Sequence, residues 1–261
     1  MQSFEIGTPE ILTFLLFPLV LSFYWDVSIF SFVRQRCGLC SRLCSPTVLY
    51  CPSKQAPTLS QALLQAKRTM NVFGTQTIET IHLSGAHVLP KKVVLNDTIS
   101  IIANTEKIET CTLKIENDWI VTGNVTMNGI QIVNGKGMNV TDGGTLALLE
   151  CHVTRCKSSG VVVRRGGTLT LHQCCINYND GSGLVVGDKG STIDIEDSNI
   201  SHNQSNGVYS YFGGVCDLRG AKTVVSANES NDLRARGGEI NIHDELDLRC
   251  TRQVEENGII V

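Results

Sequence analysis

Apolar and polar positions alternate in short runs, and over the second half of the chain those runs return at a fixed interval. Gly143-Gly144-Thr145-Leu146-Ala147-Leu148 aligns with Gly166-Gly167-Thr168-Leu169-Thr170-Leu171, and the same pattern comes back at 189–195, 213–218 and 237–242, 23 or 24 residues apart. Leu148, Leu171, Ile195, Leu218 and Ile242 form one apolar column; Leu146, Leu169, Ile193, Cys216 and Ile240 form another two residues earlier. Period two within a run is the mark of a strand with one buried face. Short strands and glycine turns repeating at this length predict a solenoid.

Two further columns complete each repeat. Ile132, Val153, Ile176 and Ile200 stack in a second strand, and Val161, Leu184, Val208 and Leu233 in a third. Three short strands per coil predict a triangular cross-section with coils about 4.8 Å apart. A polar line, Cys156, Asn179, Asn203 and Asn228, runs four residues ahead of Gly160, Gly183, Gly207 and Asp232. Stacked asparagines carry side-chain amide bonds along the axis and tolerate a left-handed turn, so a structural ladder is expected. Cys151 and Cys174 share an inward column. Earlier coils are less regular: Ile99-Ser100-Ile101 and Val125-Thr126-Met127 show the pattern, and Met127 precedes Leu148 by 21 residues. After Ile242 a polar Asp247 falls where an apolar residue is needed, so the tail from Asp244 to Val261 is expected to leave the solenoid.

Ahead of the coils, Thr58 to Met70 reads as a helix with Leu59, Ala62, Leu63 and Ala66 on one face, followed by a strand pattern from Ile78 to Val88. Such a helix covers the open end of a solenoid. The expected fold is therefore all-β: a right-handed, single-stranded parallel β-helix of 21–26-residue coils spanning 58–261, with a capping helix at 58–70, a linker at 53–57 and a helical module at 1–52.

Composition supports that division. Nine of the 15 aromatic residues precede Cys51, whereas 22 of the 24 glycines follow residue 70, and all six prolines precede Lys91. A long proline-free stretch is what a chain needs when nearly every N–H joins a ladder. Residues 11–25 are almost wholly apolar, which opens two readings. A cleaved signal or membrane anchor lacks the usual positive residues ahead of it, and at 15 residues the run is short of the roughly 20 a span requires. As a helical module, Thr8-Pro9-Glu10-Ile11-Leu12 starts like a capped helix, Pro18 breaks it, and Asp26 caps a second helix with Val27, Phe30, Val33 and Cys37 on one face. Cys37, Cys40 and Cys44 then lie at helical spacing; with Cys51 they are weighed against a zinc site, which wants two separated pairs on turns.

The string from Pro9 to Tyr50 resembles an F-box, the three-helix module that docks onto the Skp1 adaptor of a cullin-type ubiquitin ligase. The resemblance rests on Pro9-Glu10-Ile11-Leu12, Leu21-Ser22-Phe23, Arg36-Cys37 and Ser41-Arg42-Leu43-Cys44-Ser45-Pro46 with Leu49-Tyr50. It departs from the family in a longer interval from Asp26 to Cys37 and in Cys40 at a usually aromatic position. Some F-box proteins carry a right-handed β-helix of the pectate-lyase-like, carbohydrate-binding and sugar-hydrolase type as their substrate-binding region, usually much longer than this one. The resemblance implies a substrate receptor with Pro9, Glu10, Ile11, Leu12, Leu21 and Val33 against a Skp1-like adaptor, an unknown protein substrate on the solenoid, and a cytoplasmic or nuclear location. The alternative is a secreted or membrane-tethered β-helix, anchored through residues 11–25, that binds or processes polysaccharide.

Enzymes of this architecture set the remaining tests. Glycosidic hydrolysis needs two carboxylates roughly 5 to 10 Å apart. Asp194 and Asp217 share an outward column one coil apart, between Thr170 and Asn241. The further motifs of the hydrolases and the calcium cluster of the lyases are missing, His152 and His172 fall at non-equivalent positions, and Arg164-Arg165 lie in a turn. No catalytic residue, metal or cofactor is therefore expected. The net charge of −3 gives no electrostatic case for nucleic acid. Eleven cysteines without a disulfide spacing read as apolar core residues, while six Asn-X-Ser/Thr sequons, at Asn96, Asn124, Asn139, Asn199, Asn203 and Asn228, arise from turn composition as readily as from secretion. The aromatic group Tyr209, Tyr211 and Phe212 is the candidate partner-binding surface, against the reading that it only covers a coil corner.

Overall fold

The computed structural model describes residues 48–54, 57–68, 80–89, 92–104, 111–243 and 250–261. The expectations placed on Pro9, Glu10, Ile11, Leu12, Leu21 and Val33, on the apolar run 11–25 and on Cys37, Cys40 and Cys44 lie outside those residues. The described chain is a parallel β-solenoid whose strands fall into three sheets of ten, seven and eight strands. Each coil passes through all three in turn: Thr168–His172 in the first sheet, Cys175–Asn177 in the next and Leu184–Gly187 in the last. These are called the first, third and second sheet below.

The register is the one the repeats predict. Leu146, Leu169, Ile193, Cys216 and Ile240 are successive partners in the first sheet, as are Met127, Leu148, Leu171, Ile195, Leu218 and Ile242. Ile132, Val153, Ile176 and Ile200 pair in the third sheet, and Val161, Leu184, Val208 and Leu233 in the second. These inward columns are fully buried except at Ile242, which is partly buried, and so are Trp119 and Met138 further up the second sheet. Each such side chain contributes about 1.5–3 kcal/mol by leaving water.

A helix, α1 (Leu59–Arg68), closes the first coil. Thr58 caps it, its Oγ1 accepting from the Gln61 N–H at 3.3 Å. Leu59, Ala62, Leu63 and Ala66 are buried, and α1 packs on the strands Val48–Cys51 and Gly85–Leu89.

Three features differ from the sequence reading. Val48–Cys51 is the first strand of the first sheet, paired with Thr80–Leu83, so Leu49 and Tyr50, which close the F-box-like string, belong to the solenoid. Cys51 points into its core. Only four residues long and set among prolines, this strand has no period to announce it.

The described part of the tail, residues 250–261, also stays on the solenoid. Arg252–Glu255 pairs with Leu233–Arg236 in the second sheet, and Ile259–Ile260 with Glu239 and Ile240 in the first. The carboxylate of Asp232 fixes the return: its Oδ2 accepts from the Thr251 N–H at 2.9 Å and the Thr251 hydroxyl at 3.0 Å.

The asparagine ladder forms as expected, with Asn179 Nδ2 donating to Asn203 Oδ1 at 2.8 Å and Asn203 Nδ2 to Asn228 Oδ1 at 2.9 Å. The left-handed residues, however, are those just before the rungs, Arg155, Tyr178, His202 and Ala227. They aim the following amides inward.

Candidate binding face

Turn length decides where the surface opens. The turns entering the second sheet occupy residues 155–160, 178–183, 202–207 and 227–232 in the regular coils, but only 116–118 and 134–137 in the two described coils that precede them. Shortening two adjacent turns leaves a groove of about 300 Å3 on the outer face of the sheet. Its floor is Ile120, Asn139 and Val162, the outward residues at the centres of Trp119–Val121, Met138–Val140 and Val161–Val163. Asp118, Lys136 and Ser158, in the entering turns, form one wall; Thr141 and Arg164, just past the strands, form the other.

The same outward row continues down the sheet. Val185 pairs with Val162, Tyr209 with Val185 and Arg234 with Tyr209. The three aromatic residues singled out from sequence come together here. The Tyr209 and Tyr211 rings stack 5.4 Å apart, and Phe212, which is 65% exposed, sets its ring edge-on to Tyr211 at 5.2 Å. Arg234 lies over the Tyr209 ring, 5.1 Å from its centre, and is itself held by Glu255 at 3.0 Å. Tyr211 rests on Gly187, where a Cβ would overlap its ring. Burial, and after it the nearby Asp188 carboxylate, raises the Tyr211 phenol above its usual value. The cluster is thus a pre-built platform rather than three loose side chains.

The acidic pair on the first sheet is a different case. Asp194 and Asp217 are cross-strand neighbours, as the spacing predicts. Each is already engaged: Arg219 reaches Asp194 Oδ2 at 2.6 Å, while Asp217 accepts from Asn241 Nδ2 at 3.0 Å and lies 3.6 Å from His243 Nε2. His152 lies in the third sheet and His172 in the first, where it contacts Glu196 at 3.3 Å. Arg165 and Arg164 part company: Arg165 faces Asp142 at 3.8 Å, while Arg164 lines the groove. Among the described residues no group of three or more His, Cys, Asp or Glu side chains is placed to hold a metal ion.

The described cysteines, Cys51, Cys111, Cys151, Cys156, Cys174, Cys175, Cys216 and Cys250, are free thiols. Burial pushes Cys151 up to about 11 and Cys174, with the neighbouring Cys151 adding to it, up to about 12. Such thiols pack as apolar groups and are poor nucleophiles.

Sequence reasoning found the aromatic platform but missed the groove. Its signal was present in the shortened interval between the second-sheet strands, 19 residues from Ile120 to Asn139 against 23 from Asn139 to Val162.

Residues 76–243 match the family model described as the right handed beta helix region, which covers more than half of the chain. Comparison with curated proteins and with solved structures gave no match. With its three parallel sheets, inward apolar columns and this match, the chain belongs to the right-handed β-helix family.

Proposed function

We propose that this chain is a non-catalytic β-helix that binds a partner protein on the outer face of its second sheet. The observation that carries the reading is the outward, half-buried row Ile120, Val162, Val185 and Tyr209, interrupted only by Asn139 and ending beside the exposed Phe212. Solvated sheet faces are usually polar, and an outward apolar row with an ordered aromatic end fits an interface. A sugar would stack on an open tyrosine face, but here the Tyr209 ring is already engaged by Tyr211 and Arg234. In its fuller form the solenoid is the substrate receptor of a cullin-type ubiquitin ligase, and Pro9, Glu10, Ile11, Leu12, Leu21 and Val33 meet a Skp1-like adaptor. The support for that form is the N-terminal resemblance. The free thiols of the described cysteines support a reducing compartment, cytoplasmic or nuclear.

The test places a photo-crosslinking amino acid at Val185 in the full chain expressed in cells, with Thr170 on the first sheet as control. A protein adduct at Val185 that disappears with Tyr209→Ser and Phe212→Ser is expected. Adducts at Thr170 alone would sink the assignment of the face. Co-purification with Skp1 tests the ligase form; a glycosidase-sensitive protein that does not capture Skp1 would replace it with the secreted, polysaccharide-binding alternative.

A further inference from the structure

The groove beside the platform has a charge pattern that docking of an apolar surface does not use. Lys136 stands on one wall and Arg164 on the other, with a single acid, Asp118, at one end. Asp118 and Lys136 approach only to 4.0 Å and both side chains are about half exposed, so they are weakly coupled. Arg164 makes no ion pair among the described residues. On the Arg164 wall, Thr141 is 6% exposed and its Oγ1 has no hydrogen-bond partner among the described residues. A buried hydroxyl left unpaired is unfavourable, and a bound acceptor removes that penalty.

We infer that the groove between Lys136 and Arg164 receives one carboxylate side chain from an extended acidic segment of the partner protein. The inference rests on the reading of this face as a protein-docking surface. Arg164 offers a planar two-pronged donor, Lys136 a point charge from the opposite wall, and Thr141 a hydroxyl donor. From Ile120 to Tyr209 the row takes four coil steps of about 4.8 Å, a span that about six extended residues cover. A segment with its acid over Asn139 and Val162 then sets the following apolar side chains on Val185 and against Phe212.

A peptide fits better than a polyuronate for two reasons. Two of the three floor residues, Ile120 and Val162 on either side of Asn139, are branched aliphatics, which suits methyl-bearing side chains. A chain with a carboxylate on every unit would also drive one of them against Asp118, whereas a segment with a single acid avoids it.

The test uses the full chain and an array of octapeptides carrying one glutamate at a fixed position among randomised apolar residues, beside the same array with glutamine. Glutamate peptides are expected to bind at least about tenfold more tightly, and more weakly as salt rises. Lys136→Glu combined with Arg164→Glu should weaken them about tenfold while leaving the thermal midpoint unchanged, and Thr141→Val should weaken them less. Equal binding of the two arrays overturns the inference, as does tighter binding of oligogalacturonate than of any peptide. If neither array binds while the Val185 adduct persists, the acid clamp is wrong and the docking face stands; loss of both overturns the docking face itself.

Discussion

Asn228 Nδ2 donates to Asp232 Oδ1 at 2.9 Å, and the Asn228 N–H donates to the same oxygen at 3.1 Å. Those are the two bonds that each earlier rung makes to the amide oxygen of the rung below: Asn179 to Asn203, and Asn203 to Asn228. The carboxylate therefore takes the place that an asparagine amide oxygen holds in the earlier rungs, and its second oxygen holds Thr251 and the returning tail. Asp232→Ala should unsatisfy both at once. The expected loss is about 1–3 kcal/mol by chemical denaturation, with hydrogen exchange rising first in Arg252–Glu255.

The same carboxylate sets an acid limit. Burial alone would raise its pKa, but the hydrogen bonds from Thr251 and Asn228 outweigh that and hold it below the usual value. A folded pKa below the unfolded one, about 3.9, means the stabilisation is present above that pH and is lost as pH falls through the folded value. Asp232→Asn should flatten the fall in stability below about pH 4; an unchanged acid limb in urea titrations would refute this.

Gly207 is the partner of the ladder on the other side. A Cβ there would lie 2.6 Å from both Asn228 Nδ2 and the Asp232 carbonyl oxygen, so no alanine fits without moving backbone. Gly207→Ala should cost about 1–3 kcal/mol as an overpacked site, read as a lower thermal midpoint. The effect should combine non-additively with Asn228→Ala, which removes the obstructing amide.

The thiols give a reactivity pattern. Cys111 and Cys156, pushed up to about 11 chiefly by burial, join Cys151 and Cys174 as groups that stay protonated near neutrality. A short iodoacetamide pulse at pH 8, mapped by mass spectrometry, should leave these four unlabelled in native protein and label them all in denaturant. Labelling of Cys174 in the native state would mean that its coil opens.

On the first sheet, Asp194 and Asp217 are tied to the exposed Arg219 guanidinium, the His243 ring and an amide. Asp194→Asn and Asp217→Asn should each shift stability by no more than about 1 kcal/mol, measured in chemical denaturation. A larger loss would mark the pair as structurally central.

How much of this could be read from the chain alone follows from what carries a period. Leu148 and Leu171, or Ile176 and Ile200, must face inward at a fixed interval, so columns and register are written in the pattern. The ladder is legible for the same reason. Val48–Cys51 is not, because one strand without a second copy has no interval. The tail misled because its described residues rejoin the second sheet at Thr251 and Asp232 after an interval shorter than the regular repeat, which the column test reads as an exit. The aromatic platform shows as a local cluster, but its support by Gly187 and its cover by Arg234 come from neighbouring coils. The groove needed three turns compared in length, and the unpaired state of Thr141 needed coordinates.

The change in turn length has one more consequence. The ladder starts where the turns lengthen, with the Cys156 N–H donating to Asn179 Oδ1 at 3.0 Å. Coils beyond that point are tied to one another by amide bonds as well as by strands, while those before it rely on strands and apolar packing. The solenoid is therefore a rod of two stiffnesses, and the groove lies across the seam: Lys136 belongs to the softer part and Arg164 to the first laddered coil. A segment gripped by both would act as a splint, fastening the compliant coils to the rigid ones, and occupancy of this face would register as mechanical stiffening of the whole N-terminal half of the solenoid.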